Sequence, residues 1–162
     1  LAAYDVKMSE VHGMAQRGGS VSTQVRFGKK VYSPLIGQGQ ADILVSFERM
    51  EAVRWAEYLK PNGVAGINDY AIPSLPVAIG AVKYPEGTVQ AMAKRFKTIS
   101  FDAAQVAEEL GNPRVMNVVL FGALVKAMGL NDIDWEQVLK DQLPEKVLDI
   151  NIKALKAGMA KQ

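Results

Sequence analysis

Cysteine is absent from these 162 residues, and histidine occurs once, as His12. Without cysteine the chain forms no disulfide and offers no thiolate to an iron–sulfur cluster. A single histidine, with no nucleophile elbow, no H-E-x-x-H pair and no Walker loop, leaves nucleophilic and metal-assisted catalysis almost nothing to use. The spacing of Glu48 and Asp69 gives no support to a paired-carboxylate mechanism either. An excess of one charge is also missing: 19 basic against 17 acidic side chains leave +2, too weak a field for non-specific nucleic-acid binding. Long apolar runs are lacking too. The most apolar stretch, residues 115–130, is broken by Asn117 and Lys126 and flanked by caps, so it reads as a buried helix before a membrane span. No signal peptide is visible, which favours the cytoplasm.

What is present is ordinary for a globular protein: 49% hydrophobic and 22% charged residues, in a length suited to one domain over residues 1–162. No methionine opens the chain, and Leu1-Ala2-Ala3 reads as the tail of a helix, as though an earlier strand and helix were absent. Residues 6–10 read as the end of one strand. Val21, Thr23, Val25 and Phe27 alternate with polar residues as a half-buried strand does, and 31–33 is its expected hairpin partner across the Gly28-Lys29-Lys30 turn. Gly37-Gln38-Gly39-Gln40 precedes a strand, whereas dinucleotide fingerprints follow one, so it reads as a connector. Ile43-Leu44-Val45 has the continuous apolar character of a strand buried on both faces. A helix over 48–58, stopped at Lys60-Pro61-Asn62-Gly63, leads to a strand at 64–67.

Further on, Pro73, Pro76 and Pro85 predict an extended excursion over 70–85, followed by a short helix at 88–94 and a strand at 98–101. Asp102 caps the next helix, Gly111-Asn112-Pro113 ends it and starts a long apolar one, and Asp134 and Pro144 open the last two. The pattern predicts a three-layer α/β/α domain, with a mostly parallel, open, Rossmann-like sheet and an antiparallel hairpin. Ligands of such sheets gather outside the carboxyl ends of the strands, here Ser9 and Glu10, Ser46 to Glu48, Asn68 and Asp69, and Ser100 to Asp102. Glu48 and Asp102 have the ordinary alternative of helix-start residues.

The candidate site is the connection between the first two strands. Arg17-Gly18-Gly19 sets a fixed positive charge beside two residues free to adopt positive φ, so that successive N–H groups can face one anion. Ser9, Glu10, His12, Gln16 and Ser20 surround it in sequence, with Asn68 and Asn117 as supporting amides. A Gly-Gly pair after arginine also forms plain turns, His12 can simply hydrogen-bond within the loop, and Asn117 can tie its helix to a neighbouring loop.

The run Glu10-Val11-His12-Gly13-Met14-Ala15-Gln16-Arg17-Gly18-Gly19-Ser20-Val21 resembles the signature of the gamma-type domain of 2-oxoacid:ferredoxin oxidoreductases. Ala41-Asp42 with Glu48, Tyr58-Leu59-Lys60-Pro61-Asn62-Gly63, Lys83-Tyr84-Pro85, and Gly111-Asn112-Pro113-Arg114 with Asn117 resemble it further, in the same order. The glycine-rich strand–loop–helix with which that family begins is missing. The resemblance implies a subunit, inactive alone, with no catalytic residue and no cofactor of its own. Its expected partner is a larger catalytic subunit carrying thiamine diphosphate, Mg and iron–sulfur clusters, which decarboxylates a 2-oxoacid, transfers the acyl group to coenzyme A and passes electrons to ferredoxin. His12 and Gln16 imply the indolepyruvate or arylpyruvate branch. The loop at 9–20 is then expected at the coenzyme A pocket or its border with the catalytic subunit, in an assembly without nucleic acid or membrane and open to homo-oligomerisation. Two alternatives stand beside this reading. One is a free-standing nucleotide-binding module, disfavoured by the absent glycine fingerprint; the other is a scaffold without ligand contact, working through helix 115–130 and the proline-rich excursion.

Overall fold

The computed structural model describes residues 4–13 and 20–161. Strands β1 (Asp5–His12) and β2 (Val21–Gly28) form an antiparallel two-stranded sheet in which Val6 faces Phe27, Met8 faces Val25 and His12 faces Val21. The side of this hairpin turned toward its own chain is polar. Asp5 accepts a hydrogen bond from the Val31 amide at 2.9 Å, Gln24 accepts one from Ile36 at 2.6 Å, and Arg26 donates to the Leu35 carbonyl at 3.0 Å. The donation from Val31 is the main reason the Asp5 carboxyl titrates below its ordinary range. Residues 31–36 are therefore an irregular strap across the polar face, which corrects the expectation that 31–33 pairs with β2 as a strand. The partner of β2 is β1, whose own end consequently lies apart from the parallel sheet.

That second sheet has the order β3 (Ala41–Ser46), β4 (Leu59–Asn68), β5 (Lys97–Phe101), all parallel. Between β3 and β4 run α1 (Arg49–Arg54) and a 3-10 turn (Ala56–Tyr58). Between β4 and β5 come α2 (Leu75–Ala78) and α3 (Thr88–Ala93). After β5 the chain is helical: α4 (Ala103–Glu109), a 3-10 turn (Pro113–Val115), α5 (Met116–Ala127), α6 (Trp135–Gln142) and α7 (Glu145–Met159). The expected caps are in place, with Asp102 accepting from the Gln105 amide, Asn112 from Arg114 and Asp134 from Gln137.

Alternation along β4 divides the domain into layers. Ala65 and Ile67 point into a core with Ala52, Ala56, Met92 and Phe96 of the α1 and α3 side. Gly66 faces the other way, and Leu124 of α5 packs so close to it that any side chain there would displace the leucine. On that side Val106, Val119, Leu120 and Ala154 join α4, α5 and α7 in a second core. The α5–α7 crossing is closer still: a Cβ on Gly122 would overlap the Leu155 carbonyl oxygen, and one on Gly158 the Val119 carbonyl oxygen.

Two strand expectations are corrected by the topology. β3 is an edge strand, so Val45 is 41% exposed and not buried on both faces. β4 begins directly after the 3-10 turn, and Lys60-Pro61-Asn62-Gly63 is its first half; the register slips between Ala41↔Leu59 and Ile43↔Val64, an irregularity that accommodates a proline without an N–H. Among the described residues no helix is long and apolar enough to cross a membrane.

Candidate functional site

The hairpin closes where the Gly13 amide donates to the Ser20 carbonyl at 2.9 Å, and this bond fixes the root of the candidate loop. Gln16, Arg17, Gly18 and Gly19 lie outside the described residues. At the root, His12 Nε2 stands 2.7 Å from Glu10 Oε1, and Thr23 Oγ1 donates to the other carboxylate oxygen at 3.2 Å. Glu10, His12 and Ser20 are exposed, and Ser9 is half-buried opposite Gln24 on the polar face. The hairpin sets Glu10 and His12 on one side of the ladder and Ser9 on the other, with Ser20 at the root. Glu10 and His12 thus form an exposed carboxylate–imidazole pair, with the Thr23 hydroxyl on the same carboxylate.

Asn68 and Asn117 belong to a second place, the carboxyl end of the parallel sheet. Asn68 is fully buried. Its Nδ2 donates to the Phe47 carbonyl at 3.2 Å and contacts Met116 Sδ at 3.4 Å, while its Oδ1 accepts from the Ala103 amide at 2.8 Å. One amide thereby joins the end of β3, the start of α4 and the start of α5. Asn117 is not the buried amide expected from its apolar surroundings. It is exposed on the first turn of α5, where with Val45, Phe47, Phe121, Leu124 and Leu139 it lines an open hollow of about 400 Å³. The helix is apolar nearly all round, but the edge position of β3 leaves that side uncovered.

Glu48 is the residue whose full role the sequence hides. As the N-cap of α1 it accepts from Met50 and Glu51 at 2.8 and 2.9 Å through Oε2. Through Oε1 it also accepts from the Ile72 amide at 3.3 Å and from the Tyr84 hydroxyl. The buried carboxylate therefore pins both ends of the proline-rich excursion to the strand end. Ser46 Oγ donates to the Glu48 carbonyl at 2.5 Å, and Arg49 adds an ion pair to Asp69 at 3.2 Å and lies over the Tyr84 ring at 5.4 Å. Burial, followed by the Glu48 carboxylate, raises the Tyr84 hydroxyl above its ordinary value. The alternative of Glu48 and Asp102 as helix starts is thus what the structure shows, and Glu48 and Tyr84 are 36 positions apart in the chain with nothing between them to announce their contact. Among the described residues no three His, Asp or Glu side chains are grouped so as to hold a metal ion.

Residues 1–161 match the family described as pyruvate ferredoxin/flavodoxin oxidoreductase. The chain is 40% identical to indolepyruvate oxidoreductase subunit IorB of Thermococcus kodakarensis, over 98% of its own length and 81% of the relative's. In fold it is similar to a pyruvate oxidoreductase subunit of Thermotoga maritima, with a TM-score of 0.69 at 21% identity, covering 99% of this chain and 81% of that one. It is also similar to 2-oxoglutarate:ferredoxin oxidoreductase from Magnetococcus marinus, whose structure holds 2-oxoglutarate, coenzyme A and succinyl-CoA; there the TM-score is 0.68 at 22% identity, over 97% of this chain and 25% of the other.

Proposed function

The chain belongs to the pyruvate ferredoxin/flavodoxin oxidoreductase family and is a subunit of a 2-oxoacid oxidoreductase of the indolepyruvate type; from that premise we propose that it is the subunit without thiamine diphosphate and that it shapes the coenzyme A side of the active site. In the assembled enzyme an arylpyruvate loses carbon dioxide, its acyl group forms a thioester with the coenzyme A thiol, and the two electrons released reduce two ferredoxins. The bond-breaking and electron-carrying groups belong to a larger partner subunit, with its thiamine diphosphate, Mg and iron–sulfur clusters. The absence of cysteine from these 162 residues supports placing the iron–sulfur clusters on that partner. The assembly works in the cytoplasm.

The observation that carries the reading is the β1–β2 hairpin itself, its root closed by the Gly13–Ser20 hydrogen bond. Arg17 is suited to a phosphate of coenzyme A, and Gly18 and Gly19 to close backbone approach. Glu10 and His12 frame the base of the loop. The test is Arg17→Ala in the enzyme co-purified with its larger subunit. Loss of one charge-assisted contact predicts a rise in KM for coenzyme A of about 10-fold to 100-fold, with KM for indolepyruvate unchanged. If coenzyme A kinetics, subunit association and turnover all stay at wild-type values, the reading is overturned.

A further inference from the structure

The β1–β2 hairpin has its two sides reversed from the ordinary half-buried sheet, where apolar residues turn inward. Its polar side is held by its own chain through Asp5, Gln24 and Arg26. Its apolar side carries Tyr4, Val6, Met8, Val21, Val25 and Phe27, each between 47% and 64% exposed. These residues form an ordered surface: Val6 faces Phe27 and Met8 faces Val25 across the ladder, and the Tyr4 and Phe27 rings meet edge to face at 5.7 Å. A register slip of one residue would turn them inward, but it would break the three bonds to the strap, so the outward display is built in.

The size and chemistry of this face narrow what covers it. Six such side chains about half exposed offer on the order of 600 Å², the upper end of what a monomer leaves bare and most of the ~800 Å² that each partner gives to a stable interface. Among the described residues its carboxylate and imidazole, Glu10 and His12, are joined to each other at the loop end. The cations within the two strands, Lys7 and Arg26, are a cross-strand pair on the opposite side, so this face does not match a phosphate backbone or an anionic lipid surface.

We propose that this apolar face is the docking surface for the larger catalytic subunit, an inference that rests on the reading of the chain as its companion. The strands that carry the face also carry residues 13–20, so a partner meeting the loop meets the ladder that runs back from it for eight residues, about 27 Å. The complementary surface on the partner is apolar and poor in charge, with a polar group at the end that receives Glu10 and His12.

The test uses the two subunits expressed together and compares wild type, Met8→Lys with Val25→Lys, and Lys29→Glu in the exposed turn. Association is measured by sedimentation velocity and the fold of each variant by circular dichroism. Two desolvated cations at the centre of an apolar contact predict association at least about 100-fold weaker, with Lys29→Glu as wild type. Should the lysines unfold the hairpin, Met8→Gln with Val25→Thr repeats the test with an expected loss of about 10-fold. Wild-type association of a folded double variant overturns the proposal. So does a wild-type homodimer that the lysines dissolve while binding of the larger subunit persists, because the face then belongs to a second copy. If the wild-type chain does not bind the larger subunit at all, the subunit reading fails and this surface with it; failure of the variants alone leaves that reading standing.

Discussion

Glu48 shows how one side chain does the work of two loops. One carboxylate oxygen caps α1 and the other holds Ile72 and Tyr84, so the strand end, the helix start and the proline-rich excursion share one buried anion. Buried carboxylates are tolerated when hydrogen bonds replace water, and four donors do so here. The Tyr84 hydroxyl keeps its proton above the ordinary value of 10.0, because burial and then the neighbouring carboxylate disfavour a phenolate. The sign follows from linkage: the folded state holds the proton more tightly, so the contribution is complete below the ordinary phenol value and is lost as pH rises through the higher folded one. Tyr84→Phe is expected to cost about 1 kcal/mol at neutral pH, at the low end for a bond to a charged acceptor because the ring is half-exposed. It should also lessen the loss of stability above pH 10. Urea denaturation at neutral and alkaline pH measures both, and equal alkaline losses in the two proteins would refute the assignment.

Between elements, the contact with least freedom is the crossing of α5 and α7. Gly122 and Gly158 let the two backbones touch, and at each position the obstacle to a methyl group is a carbonyl oxygen, which cannot rotate away. Gly158→Ala is therefore expected to destabilise by about 2–3 kcal/mol despite the better helix propensity of alanine, with a Tm lower by several degrees. A neutral or stabilising result would mean that the helices separate at little cost. The sequence does not show this contact, because a glycine near a helix end reads as a stop and its partner is 36 residues away in the chain. What is local was legible: Asp102, Asn112-Pro113 and Asp134 announce their helices through hydrogen bonds made within three residues. The alternation of Val21, Thr23, Val25 and Phe27 likewise announces a strand, yet a period of two names neither the partner nor the face that meets water. The strap at 31–36 settles both, through bonds to Asp5 and Gln24 that no spacing predicts. For the same reason the pairing of Glu10 with His12, two apart on one strand, is a local matter, while the Glu48–Tyr84 contact and the exposure of Asn117 depend on packing between distant segments.

At the scale of the whole molecule the protein is built in two tiers of unequal support. Ile67, Leu120 and Leu155 are fully or almost fully buried in and around the parallel sheet, whereas among the described residues no buried core side chain lies in β1 or β2. A two-stranded sheet without a covered face is marginal by itself, and here the strap is what holds it. Local opening should follow this division, with amides of β1 and β2 exchanging hydrogen at least about 100-fold faster than those of β4 in the free chain. Covering the apolar face removes that difference from one side only. On assembly with the larger subunit the hairpin amides should slow by 10-fold or more, while those of β4, already protected by two helical layers, change little. Hydrogen-exchange mass spectrometry on the free chain and the complex reads both tiers at once. Hairpin amides as slow as those of β4 in the free chain would show that the strap alone secures the ribbon, and an unaltered hairpin in the complex would place the partner on another face of the domain.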